Sequence, residues 1–177
     1  PVVGNAIIGE HCEDTHVINE LQTPIYVEGA KNMVVAASSD GILICSKAHS
    51  EEIKKYVENF TSRPMYEEKR WGTYRVLDDM ECTDGSHSLI KNVMLKKGKH
   101  VSCQIHCSRF EVLTFIEGEG ILVLDDEEKD VKAGDTIVLI RSQFYTIKAL
   151  TQLMFVEVQI GRTFAEEDVE NITLELE

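Results

Sequence analysis

The stretch from Gly98 to Gly118 constrains this chain more than any other. It reads glycine, five residues, Gln104, one residue, His106, four residues, Glu111, six residues and a second glycine. Val101-Ser102-Cys103-Gln104-Ile105-His106 has the composition of a β-strand. Residues i and i+2 of a strand point to one face, so Gln104 and His106 are expected to look into a single cavity. Glu111, on the strand after the Cys107–Arg109 turn, can join them. Imidazole with carboxylate and amide oxygens is a donor set suited to a divalent transition metal.

The flanking sequence supports a β architecture around that cavity. Eight strand-like runs follow Tyr66: Thr73–Leu77, Ser88–Leu95, Val101–His106, Glu111–Glu117, Gly120–Leu124, Thr136–Ile140, Phe144–Leu150 and Leu153–Ile160. Asp125-Asp126-Glu127-Glu128 reads as a hairpin tip, and the acidic tail Phe164–Glu177 as one further edge strand. Strands at this spacing without intervening helices predict a sandwich or barrel. Before them, Ser50–Phe60 places Ile53, Tyr56, Val57 and Phe60 at i, i+3, i+4 and i+7, an amphipathic helix with Ser50 as its N-cap. The front of the chain holds the short runs Gly4–Ile8, His16–Ile18, Pro24–Glu28, Met33–Ala37 and Gly41–Cys45. They fit either the rungs of a small β-helix-like coil or a small meander, and periodicity does not separate these.

Composition removes several function classes. The net charge of −13, from 31 acidic and 18 basic residues, leaves no basic footprint for a nucleic acid. No apolar run reaches the 18 residues of a membrane span, and no secretory leader is visible. Five cysteines without a C-x-x-C pair are expected to be reduced thiols in the cytoplasm. The opening at Pro1 suggests a piece excised from a longer protein. His11, His16, His49, His87 and His100 have no spacing that joins them to the cavity pair.

The Gly98–Gly118 string resembles the first cupin motif in the glutamine-first version of phosphomannose isomerases. Gly134 to Ala149 resembles the second motif, with Tyr145 at the place of its histidine, Ile140 at its proline, Ser142 at its second glycine and Ala149 at its asparagine. The chain as a whole is similar to the C-terminal portion of bacterial mannose-1-phosphate guanylyltransferases, which make GDP-mannose. Val27–Val35 and Gly41–Cys45 look like that family's strand segments, and Glu52–Val57 like its D-V-K-K-I-V helix. Arg70-Trp71-Gly72-Thr73-Tyr74 looks like its R-P-W-G-x-Y, Gln104–Glu111 like Q-M-H-H-H-R-A-E, and Glu157–Gly161 like E-V-Q-x-G.

The resemblance implies a mainly β protein. A β-helix-like segment (1–49) and a linking helix (50–65) would precede a cupin jelly-roll sandwich (66–177). It also implies Gln104, His106, Glu111 and Tyr145 as the metal-site positions. Two readings compete there: a tyrosine-completed site for a divalent metal (Zn, Mn or Co), or a metal-free hydrogen-bonded network. The glycine-rich nucleotide-binding signature of the family is absent, and Asn171 stands where isomerase-competent members carry a tail arginine. The expected role is therefore a non-catalytic, structural or oligomerising tail of a guanylyltransferase, with no catalytic residue and no obligatory cofactor. Its expected partners are an upstream nucleotidyltransferase domain and a second copy in a homodimer, with no nucleic acid or membrane. The alternatives are a metal-dependent mannose-6-phosphate isomerase, or a sugar-phosphate or sugar-nucleotide binding module using Arg109, Arg141 and Lys148.

Overall fold

Parallel pairing organises the front of the chain. In a computed structural model, which describes residues 1–53, 55, 63–104, 109–140 and 143–162, strand β1 (Val2–Gly4) lies parallel to β3 (His16–Asn19), and β3 parallel to β5 (Met33–Ser38). Strand β2 (Ala6–Ile8) lies parallel to β4 (Ile25–Val27), and an isolated parallel bridge joins Glu13 to Lys31. A meander would pair these runs antiparallel through tight turns. Successive parallel contacts between short strands mean that the chain winds as stacked rungs. Val17 and Val35 lie one above the other in the coil interior. Asn19 holds a corner, its side-chain amide donating to the carbonyls of Asn5 (2.7 Å) and Thr23 (2.8 Å). Strand β6 (Gly41–Ser46) then turns back antiparallel on β5 and ends the winding.

The linking helix differs from its expected form. A 3-10 helix covers Lys47–Ile53, so helical structure begins before Ser50. Ser50 is inside it and donates its hydroxyl to the Lys47 carbonyl, 3.0 Å away; it is not an N-cap. Lys55 is helical, whereas 54 and 56–62, with most of the amphipathic stripe, lie outside the described residues. The tail 163–177, where an edge strand and Asn171 were expected, also lies outside them.

Contacts divide the chain into two units, Pro1–Met65 and Tyr66–Glu177. The second is a sandwich of antiparallel strands. Its larger sheet runs β14 (Thr136–Leu139), β11 (Arg109–Glu117), β16 (Leu153–Gly161), β9 (His87–Leu95), β8 (Gly72–Glu81), β7 (Tyr66–Glu68). The smaller runs β10 (His100–Gln104), β15 (Phe144–Ala149), β12 (Glu119–Leu124), β13 (Glu127–Lys132). This is the cupin β-sandwich that the motif spacing implies. Alternation along β9 and β16 sends every second side chain inward, and Leu89, Leu95, Leu113, Leu122, Leu139, Ile147 and Leu153 are all but inaccessible. Burying each such side chain contributes about 1.5–3 kcal/mol. Phe115 and Phe155 meet at the centre with ring centroids 5.5 Å apart and a tilt of 51°.

Candidate functional site: a polar cavity between the sheets

Four strands of the larger sheet and one of the smaller deliver polar groups into the otherwise apolar interior. Strand β11 contributes Glu111 (0% exposed), β16 contributes Glu157 and Gln159, β9 contributes Lys91 (2%) and β8 contributes Tyr74. Tyr145 comes from β15 across the gap and is also buried. Register sets their order. Lys91 is directly opposite Glu157, and Glu111 directly opposite Gln159; such cross-strand pairs have Cβ atoms about 4.5–5.5 Å apart.

Tyr145 ties the two carboxylates together. Its hydroxyl donates to Glu111 Oε2 at 3.1 Å and lies 3.4 Å from Glu157 Oε1. Lys91 Nζ sits 4.9 Å from the centroid of the Tyr74 ring, a cation–π arrangement strengthened by desolvation. Tyr74 in turn donates to Glu67. That hydrogen bond, with Lys69 and then Lys91 nearby, holds the Glu67 carboxyl below its ordinary value. A small cavity of about 20 Å³ is lined by Trp71, Tyr74, Lys91, Tyr145, Phe155 and Glu157, among others, enough for roughly one water molecule.

The expected site positions are only partly brought together. Glu111 and Tyr145 meet, as the motif alignment implies. Gln104 ends β10 with its backbone paired to Phe144, while Cys103 pairs with Tyr145. The side chains of Gln104 and Arg109, and all of His106 and Arg141, lie outside the described residues. Lys148 is an exposed residue of β15. Among the described residues no cluster of three or more His, Cys, Asp or Glu could hold a metal. The donors that are described do not fit one well. A phenol that donates to Glu111 keeps its proton, and a protonated phenol is a poor cation ligand.

Sequence reasoning missed Lys91. Its signal was present in the alternation Leu89, Lys91, Val93, Leu95, where one cation occupies an inward position of an apolar strand face. Glu157 and Gln159 entered only through a motif resemblance, although they occupy the same phase in β16.

The family model described as mannose-6-phosphate isomerase C-terminal matches residues 58–174. A mannose-1-phosphate guanylyltransferase of Salmonella muenchen is 23% identical over 177 residues, covering 95% of this chain and 36% of that protein. One from Escherichia coli K12 is 24% identical over 172 residues, covering 92% and 35%. The alginate biosynthesis protein AlgA of Pseudomonas aeruginosa is 22% identical over 157 residues, covering 84% and 32%. The chain thus spans about a third of the length of the curated relatives it matches. Among solved structures, ectoine synthase from P. lautus superposes with a TM-score of 0.48 at 17% identity, over 66% of this chain and 86% of its own.

Proposed function

Since the chain belongs to the mannose-6-phosphate isomerase C-terminal family, we propose that it is the C-terminal, non-catalytic part of a mannose-1-phosphate guanylyltransferase. The parent enzyme serves GDP-mannose synthesis in the cytoplasm. In this reading the coil of 1–49 and the segment 50–65 join the nucleotidyltransferase domain to the cupin of 66–177, and the chain works as a homodimer. Gln104, His106, Glu111 and Tyr145 are the degenerate metal positions; of these, Glu111 and Tyr145 are joined by a hydrogen bond that extends to Glu157.

The observation that supports this reading is the Tyr145 hydroxyl, which stands at the histidine position of the second motif and donates to Glu111 Oε2 over 3.1 Å. Aldose–ketose isomerisation needs a positioned base and something to stabilise the enediolate charge. Losing one such electrostatic stabiliser costs on the order of 10²–10³ in rate. Tyr145 and Asn171 both stand where this family would supply one.

A coupled assay for mannose 6-phosphate isomerisation with zinc, manganese or cobalt, run beside metal analysis, tests the proposal. Neither turnover nor stoichiometric metal is expected. Turnover with bound metal would restore the isomerase reading. Guanylyltransferase activity is expected in the longer protein and not in this chain. A thermal shift with mannose 6-phosphate, mannose 1-phosphate or GDP-mannose would instead favour a binding module.

A further inference from the structure

The larger sheet of the cupin is free of charged side chains on the outer face of β14, β11, β16 and β9, up to Arg75 and Asp78 of β8. Its inner face forms the core; its outer face follows the opposite phase of the same strands. Register places Val138, Val112, Val158 and Ile90 in one outward row across β14, β11, β16 and β9, with Phe110 and Ile160 paired in the next row. Val138 is 58% exposed and Phe110 41%, while the others are half-buried. An antiparallel sheet with one solvated face normally alternates apolar and polar residues. Here the outward positions of these strands between Ile90 and Met94, Phe110 and Ile116, Thr136 and Val138, and Met154 and Ile160 carry no Asp, Glu, Lys or Arg. The chain as a whole is 28% charged.

We infer that this outer face is the surface through which two copies of the chain associate, cupin against cupin. The inference rests on the homodimer reading above and assigns it a surface. Two properties point to a second copy. The chain carries −13, so two copies repel wherever acidic surfaces meet, and a charge-free face is where they approach at least electrostatic cost. The extent is also suitable. Four strands about 4.8 Å apart and outward rows about 7 Å apart span roughly 500 Å² in plan. Side-chain corrugation raises this toward the 600–1,000 Å² per partner of a stable dimer. A two-fold axis makes such a patch self-complementary, so one apolar surface serves both partners.

Light scattering and sedimentation equilibrium on the whole chain test this. The expected species is a dimer of the 20.0 kDa chain. Val138→Glu and Phe110→Glu, each at an exposed position, are expected to weaken the dimer at least 100-fold while leaving the thermal midpoint of the monomer unchanged. Ile42→Glu, on the exposed side of β6 in the coil, is expected to leave the dimer intact. If Ile42→Glu dissociates the dimer and the two cupin variants do not, the surface is wrong and the homodimer stands. A parent that is monomeric at 100 μM overturns both. A monomeric parent that dimerises once 163–177 are removed identifies the tail as the occupant of the face and overturns the second copy.

Discussion

The hydroxyl of Tyr145 donates to Glu111 Oε2 over 3.1 Å, with Glu157 Oε1 3.4 Å from the same oxygen. One phenol proton therefore serves two buried carboxylates. Tyr145→Phe removes it with little change of shape and leaves Glu111, at 0% exposure, without this donor. The expected cost is about 1–3 kcal/mol in denaturant unfolding. Tyr145→His restores the imidazole of the second cupin motif. It is expected to raise the thermal midpoint in the presence of zinc, a response expected to be absent from the parent.

Lys91 is a second sensitive position. Its stem fills the core and its ammonium lies over Tyr74, across the ladder from Glu157. Lys91→Ala removes packing and the nearby cation together, with an expected loss of about 2–5 kcal/mol. Lys91→Met keeps most of the volume and is expected to lose less. Combining it with Glu157→Gln is expected to recover part of the remaining loss. A double-mutant cycle with no coupling between the two positions would show that they act independently.

Acid should weaken the Tyr74–Glu67 contact. The carboxyl of Glu67 is held below its ordinary value of 4.5, mainly by the Tyr74 hydroxyl and then by Lys69. A depressed carboxyl contributes stability that is fully present above the unfolded value and is lost as pH falls through the folded one. The destabilisation caused by Tyr74→Phe is therefore expected to be largest above about pH 4.5 and to shrink below it. Unfolding curves of parent and variant across that range measure the difference; a gap that widens in acid would refute it.

The two glycines that bracket the first motif are expected to differ in tolerance. Both have left-handed backbones, with φ of +80° at Gly98 and +87° at Gly118. A Cβ at Gly98 would meet open space, whereas one at Gly118 would fall 2.0 Å from the Gln152 carbonyl oxygen. Gly98→Ala is expected to cost about 1 kcal/mol from conformation alone. Gly118→Ala adds a backbone collision between β11 and the turn before β16, and is expected to cost clearly more. Equal midpoints for the two variants would contradict this.

Much of the sandwich was legible because its strands are apolar and β-branched runs bounded by turn residues. The run Leu153–Ile160 reads as a strand, and the structure places β16 inside the larger sheet, with Glu157 and Gln159 rather than Val156 and Val158 facing inward. Strand β13 was missed for the converse reason. In Glu127–Lys132 only Val131 is buried, so no period is written in that sequence. The tip itself is real, since Asp125 and Asp126 adopt φ of 48° and 68° and turn β12 into β13. Parallel winding in the front unit could not be read from periodicity, because direction of pairing depends on where the chain travels between strands. The polar site was half legible. Glu111 and Tyr145 followed from motif spacing, whereas Lys91 required noticing a cation in the inward phase of an apolar strand.

The strand order of the larger sheet also bears on how the chain acquires its structure during synthesis. Strand β16 lies between β11 and β9 and pairs with both along most of its length. Until residue 161 has left the ribosome, the two halves of that sheet have no strand to join them, and the apolar inner faces of β9 and β11 wait uncovered. The front coil can add its rungs as each emerges, since its parallel strand pairings join neighbouring windings. Non-local closure of this kind is slow and leaves aggregation-prone surface exposed while it waits. A ribosome stalled shortly before β16 would hold a folded coil followed by an open, adhesive half-sandwich.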